Sequence, residues 1–414
     1  MIQAMYSGIS GMKAFKSSLD VIGNNIANVN TTAYKAGRST FKEMLAQTMS
    51  AASGPSGTTG GRNPSQVGLG VVIGSIDTDQ TQGSMLASGR GTDLAIEGNG
   101  FFALGNGTRV FYTRDGSFAL DAANNLVSAA TGMRVLGWTA DATTGAIDTS
   151  QPIDATSEIT IPIGGLSVAR QTSEISISGN LDASAAVGTE YPVRFAIYDS
   201  LGLTHELRVE FTKSSTPAQW NYAVYCNDVG AAPVATGSIP FDSLGYSTVA
   251  SIPISLTFSS PNGSVQPLTA TINTERISQL NGQSTVDLGY QDGLPLGTLE
   301  SFGIDRLGLI TGTFTNGSTR ALGQIALAEF TNPAGLAKVG NNMATESPNS
   351  GVPRLGLPGT GGLGKVAAGF LEGSNVDLAA EFASMIVAQR GFQANSRIIS
   401  TSDEVLQELV SMKR

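Results

Sequence analysis

Residues able to carry out catalysis are few in this chain of 414 residues. Its one histidine, His205, and its one cysteine, Cys226, share strand faces with apolar residues, which is typical of buried side chains. One histidine and one cysteine cannot build a histidine-based triad or a thiolate-rich zinc site. A serine–lysine nucleophile stays open, although no pattern marks one. The sequence therefore predicts a protein that is not an enzyme, with no catalytic, cofactor-binding or metal-binding residues.

Two glycine-rich stretches have the composition of phosphate-binding loops. The segment from Gly359 to Lys365 has the glycine and lysine spacing of such a loop. The next residue is Val366, where a hydroxyl should hold magnesium, and no strong strand precedes the segment. The segment from Gly68 to Gly74 lacks both the spacing of a dinucleotide fingerprint and a surrounding parallel βαβ pattern. We therefore favour a structural role for both stretches.

The charge and composition of the chain argue against several classes of protein. A net charge of −9 and a pI near 4.8 give no electrostatic support to nucleic-acid binding. No apolar run approaches the roughly 18–20 residues of a membrane span. The N-terminus lacks a basic region followed by an apolar one, so no cleavable signal peptide is expected. A single cysteine allows no internal disulfide, which suits the cytosol or an export route without oxidative folding.

Both ends of the chain carry the pattern of long amphipathic helices. Near the N-terminus, two apolar columns repeat every seven residues, and only Gly8 interrupts the second: Met5, Met12, Leu19 and Ile26, then Phe15, Ile22 and Val29. Near the C-terminus, the corresponding residues are Leu378, Met385, Phe392, Ile399 and Leu406, with Leu409 alongside. Such heptads indicate a coiled-coil seam that one helix cannot bury alone. The ends therefore pair with each other or with copies of themselves, unless they are ordinary helices on a globular core.

The residues between the helical ends alternate with the period of β-strands. Asp115-Gly116 and Asn316-Gly317 each predict a hairpin turn, and residues 199–202 predict a four-residue hairpin loop. The 51 glycines fit a β-rich chain with many tight turns. At the start of the C-terminal helix, Ser374, Asn375 and Asp377 are expected to supply the capping side chains.

The order of elements is helix, β, inserted β, β, helix. It predicts a multidomain, mainly β fold with α-helical termini, nested β domains and a coiled-coil base. The expected parts are the base (1–30 and 376–414), connecting segments (31–70 and 346–375), an inner β domain (71–147 and 283–345) and an outer β domain inserted in it (148–282). The outer domain has the strand pattern of a compact antiparallel sandwich or barrel.

Three stretches of sequence form a recognisable set of motifs. The first runs from Gly23 to Lys35 and contains Asn25, Ala27, Asn28, Thr32, Tyr34 and Lys35. The second runs from Asp93 to Phe102 and continues from Tyr112 to Gly116, and the third runs from Asn375 to Asn395. Together they resemble the rod and hook family of the bacterial flagellar axial structure. Ala33 stands where that family usually has glycine.

The resemblance implies a structural protein of the bacterial flagellum. The large insert and the run from Gly323 to Pro333 are most similar to the family members that form the hook. Such subunits are exported unfolded through the flagellar type III apparatus, without a cleavable signal peptide, and stack outside the cell into a curved, flexible tube. That tube passes motor torque to the filament. The implied partners are other copies of the chain, the distal rod, hook cap and hook–filament junction proteins and the export apparatus, with no nucleic acid and no membrane insertion.

Two other interpretations stay open at this point. A distal rod protein of the same family would form a straight, rigid tube. A secreted β-rich adhesin or binding module would also be acidic and rich in threonine and asparagine. The adhesin would not need matched heptads at both termini, so loss of the terminal helices would leave its binding intact.

Overall fold

The computed structural model describes residues 2–55, 60–141, 144–258 and 263–412, and the side chains of Ile2 and Leu409 lie outside that description. The described chain has one α-helix near each end, α1 (Ile2–Ala27) and α2 (Leu378–Met412). Nearly all other regular structure is β, so the predicted mainly β fold with helical termini is confirmed. Neither helix combines the length and apolarity needed to cross a membrane.

Short strands fill the chain between the two helices. Those before residue 162 are β1 (Gly37–Glu43), β2 (Ala46–Ser50), β3 (Ser65–Gly68), β4 (Val71–Thr78), β5 (Met85–Ala87), β6 (Leu94–Glu97), β7 (Phe101–Gly105), β8 (Val110–Thr113), β9 (Phe118–Leu120), β10 (Leu126–Ser128), β11 (Arg134–Val135) and β12 (Gly137–Thr139). Those up to residue 304 are β13 (Ser167–Arg170), β14 (Glu174–Asn180), β15 (Glu190–Tyr198), β16 (Thr204–Lys213), β17 (Gln219–Cys226), β18 (Ala235–Pro240), β19 (Ser251–Leu256), β20 (Leu268–Ser278), β21 (Asp287–Gln291) and β22 (Leu294–Ile304). The remaining strands are β23 (Leu309–Phe314), β24 (Thr319–Ile325), β25 (Leu327–Glu329), β26 (Ala337–Gly340), β27 (Met343–Thr345), β28 (Arg354–Gly356), β29 (Lys365–Ala368) and β30 (Phe370–Glu372).

The chain divides into two compact units. Unit 1 contains residues 1–161, 303–310 and 321–414, and unit 2 contains residues 162–302 and 311–320. Strands β22, β23 and β24 have residues in both units. The four-part division predicted from the sequence, with its outer domain at 148–282, stays a prediction.

Unit 1 is built around one large sheet. Its strand order is β26, β27, β8, β7, β11, β10 and β9, with β25 pairing with both β7 and β28. The sheet buries a core of Phe101, Ala103, Tyr112, Leu136, Ala328 and Phe330. Outside it, β1 pairs with β4 and β2 with β3. The late strands β29 and β30 pair with the early strands β6 and β5, so the two ends of the chain return to the same place.

Unit 2 contains two four-stranded sheets that share one apolar core. The sheet β15-β16-β17-β18 is antiparallel throughout. The sheet β19-β20-β14-β21 contains a parallel pair, β14 and β20, which the prediction of a purely antiparallel domain missed. In β16, Leu207, Val209 and Phe211 are fully buried, as strand alternation requires of one face.

Two of the three predicted turns form hairpins or turns in the structure. Strands β15 and β16 pair up to Tyr198 and Thr204 on either side of the predicted loop. At Asn316-Gly317, the backbone N–H of Phe314 donates to the carbonyl of Ser318 at 2.9 Å. The hairpin predicted at Asp115-Gly116 is wrong, because β8 pairs with β7 and β27, while β9 pairs with β10. The Asp-Gly signal is local, and long-range pairing overrides it.

Candidate assembly interface at the chain termini

Helices α1 and α2 pack against each other in opposite directions. In α1, Asn25 Nδ2 donates to Glu381 Oε1 of α2 at 3.0 Å. Earlier in α1, Phe15 lies over Gly391 of α2, where an added Cβ would come within 2.5 Å of the ring. The residue numbers of α2 therefore decrease in the direction in which those of α1 increase. Of the two pairings that the heptads allow, the structure shows the one within a single chain.

Small residues form the centre of this contact. The buried positions of α1 follow one face of the helix: Gly8, Gly11, Ala14, Ser18, Ile22 and Asn25. On α2, Asn395 lies against Gly11, and Ala388 and Ser402 are buried. Helix axes approach each other as closely as the side chains between them permit, so this face allows a close contact.

The predicted seam residues lie in and beside this contact. Ile22 is buried, and the partly buried members are Met5, Met12, Phe15, Leu19, Ile26, Val29, Met385, Ile399 and Leu406. Leu378 and Phe392 are 40% and 38% exposed. The side chain of Leu409 lies outside the described residues. The role of this set in assembly stays a prediction.

Helix α2 also carries large apolar side chains that the chain leaves in contact with water. We call these residues the exposed apolar set of α2: Leu378, Phe382, Ile386, Val387, Phe392, Ile398, Val405, Val410 and Met412. Their exposed fractions run from 38% at Phe392 to 82% at Met412. Scattered apolar residues on a surface are ordinary, whereas large contiguous patches mark interaction surfaces. That this set takes part in such a surface stays a prediction.

The motif residue Asn25 joins α1 to the segment that follows it and to α2. Its amide is 1% exposed. The Nδ2 group donates to the carbonyl of Gly37 at 2.8 Å as well as to Glu381. Its Oδ1 accepts from the N–H of Gly37 at 2.9 Å and from the Tyr34 hydroxyl at 3.2 Å. Every hydrogen-bonding group of this buried amide is therefore used, as burial of a polar side chain requires.

A second set of contacts connects the motif residue Lys35 to the end of the β region. Lys35 Nζ lies 2.6 Å from Glu372 Oε1 and donates to the carbonyl of Thr81 at 2.7 Å. Arg114 reaches the other oxygen of Glu372 at 3.4 Å. Burial lowers the pKa of both Lys35 and Arg114, and the Glu372 carboxylate opposes that effect on each. We call the contacts of Asn25, Lys35 and their partners the terminal junction.

The remaining motif residues support the turn that leaves α1. Asn28 Nδ2 donates to the carbonyl of Asn24 at 2.9 Å, and Thr31 donates to Asn28 Oδ1 at 3.0 Å. The carbonyl of Thr32 accepts from Asn342 Nδ2 at 2.8 Å. Ala27 is exposed at the last position of α1, and its place in the motif has no structural explanation among the described residues.

Of the three expected caps of α2, one is confirmed and two are wrong. Ser374 Oγ accepts from the N–H of Val376 at 3.3 Å, before the helix begins. Asp377 Oδ1 accepts from the N–H groups of Ala379 and Ala380 at 2.8 and 3.2 Å, so it caps the helix. Asn375 instead belongs to the terminal junction, where its Oδ1 accepts from the N–H of Ala36 at 2.8 Å. The contacts of Glu372 and Glu381 and this role of Asn375 were not foreseen, because no spacing pattern connects residues from opposite ends of a chain.

The two residues considered first for chemistry lie in the core of unit 2 or at its edge. Cys226 is fully buried, and burial raises the pKa of its thiol. His205 is 5% exposed, stacks on Phe258 with 3.9 Å between ring centres, and has Nδ1 2.7 Å from Asp228 Oδ2. In the part of the chain that the structure describes, no three side chains of His, Cys, Asp or Glu are grouped so that they could hold a metal ion.

Four protein-family models match successive parts of the chain. They describe a flagella basal body rod protein (residues 5–35), the flagellar hook protein FlgE/F/G D1 domain (95–181), the flagellar basal body protein FlaE D2 domain (169–294) and the flagellar basal body rod FlgEFG protein C-terminal region (367–412).

Curated relatives match over the full length. The flagellar hook protein FlgE of Borreliella burgdorferi is 40% identical, and that of Treponema pallidum is 39% identical, with 100% of both chains covered in each case. The flagellar basal-body rod protein FlgG of Bacillus subtilis is 32% identical over 100% of both chains. The chain belongs to the flagellar hook protein family.

The family matches correspond to features of this hook-family structure. The first and last matched segments, 5–35 and 367–412, contain the helices that pair and most of the terminal junction. The D2-domain match, 169–294, contains every buried residue of the unit 2 core, from Ile175 to Val286.

Proposed function

We propose that this chain is the structural subunit of the flagellar hook, which assembles with copies of itself into a curved, flexible tube that passes torque from motor to filament. The observation that carries the proposal is the exposed apolar set of α2. The face of α1 that meets α2 consists largely of small residues, and Ile398 and Ile399 of α2 lie beside Gly8 of α1. The members of the exposed apolar set nevertheless remain 38–82% exposed. A second copy that covered them would remove apolar surface from water.

Each large apolar side chain that such a contact buries stabilises the assembly substantially. Covering one large apolar side chain contributes on the order of 1.5–3 kcal/mol. If the surface that covers the set is a different part of the next copy, the contact is heterologous, and repeating it without closure builds a helical filament. Copies of this chain can then form a tube by repeating the same contact.

Charge substitutions in the exposed apolar set test the proposal. Phe382→Asp and Phe392→Asp should abolish sedimentable polymer and leave the circular dichroism of the β units unchanged, because burying an unpaired carboxylate in a contact costs several kcal/mol. Gln393→Asp, at an exposed position on the same helix, introduces the same charge and should still assemble. Normal tubes from both phenylalanine variants would contradict the role of this set.

The form of the polymer distinguishes the hook from the distal rod. The rod relative is 32% identical and the two hook relatives are 39–40% identical, so the hook is favoured. Electron microscopy of the polymer should show short curved tubes. Straight, rigid tubes would favour the rod alternative.

The proposal extends to location and partners. We place the subunit outside the cell in the hook, reached through the flagellar type III export apparatus without a cleavable signal peptide. Its partners there are the distal rod, hook cap and hook–filament junction proteins. The role is structural, and no catalytic step is part of it.

A further inference from the structure

A cavity of about 180 Å³ lies in unit 1 between two of the sequence motifs. Its walls come from residues 33–35, 112–114, Leu336, Lys338 and 340–344, together with Thr78, Gln80 and Phe101. The first two segments belong to motifs that the resemblance identified, and the assembly contact of the helices does not use this space. A cavity of this size has room for several waters or one small organic anion.

Two cationic side chains of the cavity have hydrogen-bonding capacity to spare. Arg114 is 7% exposed, and its Nε has no hydrogen-bond partner among the described residues. The ammonium of Lys338 lies 5.6 Å from the centre of the Tyr34 ring, and it makes no ion pair or hydrogen bond within the described chain. A buried donor without a partner requires an explanation, and an unseen ligand is one.

The charges around the cavity do not balance in its interior. Lys35 and Arg114 share the single carboxylate of Glu372. The other carboxylates that act on the lining residues are Asp79, near Lys35, Glu346, near Tyr112, and Glu381, near Tyr34. Asp79 and Glu346 are exposed, whereas Glu381 is partly buried and accepts a hydrogen bond from Asn25. Burial lowers the pKa of Lys338, although that residue is exposed as a whole, so its ammonium is partly withdrawn from water. An anion placed here would offset charge that burial makes unfavourable.

Ala33, Asn341 and Asn342 line the cavity with φ of 55°, 49° and 56°, in the left-handed region. Asn341 and Asn342 form the two-residue turn between β26 and β27, where asparagine adopts this conformation readily. Ala33 is the strained residue of the three, because its Cβ makes the left-handed conformation unfavourable.

We propose that this cavity binds a carboxylate carried on a small apolar body. Lys338 and Arg114 contact the carboxylate, and the rings of Phe101 and Tyr112 with Leu336 and Met343 contact the body. Two sources have this chemistry: a small free carboxylate and an acidic side chain of a neighbouring copy. The site goes beyond the proposed assembly through α2, because it lies on different residues.

Calorimetric titration of the full, disassembled chain with benzoate tests the proposal. Benzoate should bind with one site per chain, and the neutral benzamide should not. Lys338→Met should weaken benzoate binding about tenfold or more, the usual effect of losing one charge-assisted hydrogen bond. Lys338→Arg should retain most of the affinity. Lys42→Met removes the same charge at a residue that does not line the cavity, and it should bind as the unchanged chain does.

Absence of saturable benzoate binding would overturn the proposal, and so would equal binding by Lys338→Met and the unchanged chain. Circular dichroism confirms that each variant is folded. Once binding is established, the assembled polymer identifies the source. Binding by both forms assigns a free carboxylate to the cavity, whereas binding by the disassembled chain alone assigns an acidic side chain of the next copy.

Discussion

Ala33 stands where the family usually has glycine, and its backbone adopts the left-handed conformation that favours glycine. Its φ is 55°, and its N–H donates to the carbonyl of Glu372 at 2.8 Å within the terminal junction. For a residue with a Cβ, the left-handed conformation costs roughly 1–2 kcal/mol, whereas glycine adopts it freely. The junction therefore holds this residue in an unfavourable conformation.

Substitution of Ala33 by glycine should stabilise the chain. We expect Ala33→Gly to raise the free energy of unfolding by roughly 1 kcal/mol, less the entropy that glycine adds to the unfolded chain. Urea unfolding followed by circular dichroism measures it. Ala36→Gly is the control, because Ala36 is not left-handed, and it should lose stability. A loss at both positions would show that the conformation of Ala33 is not strained.

Tyr112 should make stability depend on pH in alkaline solution. Burial, with a smaller effect from Glu346, raises the pKa of Tyr112 from its ordinary value of 10 to about 12. Between those values the folded chain keeps a proton that the unfolded chain has released, so stability falls as the pH rises. Tyr112→Phe should remove this part of the loss, on the order of 2 kcal/mol across the window. Parallel pH profiles for the two proteins in denaturant unfolding would contradict the prediction.

Helices α1 and α2 approach each other closely where Gly391 faces Phe15. An added Cβ at Gly391 would meet the Phe15 ring at 2.5 Å, whereas one at Gly23 of α1 would meet no atom of the described residues within 4 Å. Gly391→Ala should therefore lower stability by roughly 1–3 kcal/mol through overpacking. Gly23→Ala should raise it by up to about 1 kcal/mol through helix propensity.

Thermal unfolding followed by far-UV circular dichroism compares the two alanine variants directly. Each adds one methyl group to a helix, so the difference between them isolates the contact with Phe15. If Gly391→Ala were as stable as Gly23→Ala, the two helices would not be in close contact at that point.

The sequence was sufficient to place both helices, because heptad spacing is periodic and long. It did not reveal which face of each helix meets the other. Gly8 interrupts an apolar column and yet is buried. Glycine lets two helices approach closely, but it has no apolar side chain that a hydrophobic pattern could detect. The candidate site shows the same limit. Asn25 and Lys35 were found by their motif, but their partners Glu381 and Glu372 lie 356 and 337 residues away, and no local pattern reports such a distance.

The core of unit 2 defines a fragment that should fold without the rest of the chain. All its buried core residues lie within 169–294, whereas the predicted outer domain, 148–282, ends before Val286 and before β21, which pairs with β14. We expect the fragment 169–294 to unfold cooperatively. The fragment 148–282 should be less stable, because it loses an edge strand and a buried valine worth on the order of 1.5–3 kcal/mol.

Amide hydrogen exchange and urea unfolding of the two fragments test this division. Equal stability would show that β21 is dispensable, and an unfolded 169–294 fragment would show that unit 2 depends on the rest of the chain. A chain from which residues 169–294 have been deleted is the complementary sample. It should keep the pairing of α1 with α2, which lies entirely in unit 1.

The hydrogen bond between Asn25 and Glu381 joins residues 356 positions apart, and this separation determines when α1 can become stable. Synthesis of α1 precedes synthesis of α2. A helix in a protein draws most of its stability from packing of its apolar face, and α1 lacks its partner until the β region between the two helices has been synthesised. Closing so long a loop is entropically costly and slow compared with local strand pairing. The helix pair therefore forms after the strands between α1 and α2, so a chain interrupted before α2 cannot present that pair to other copies.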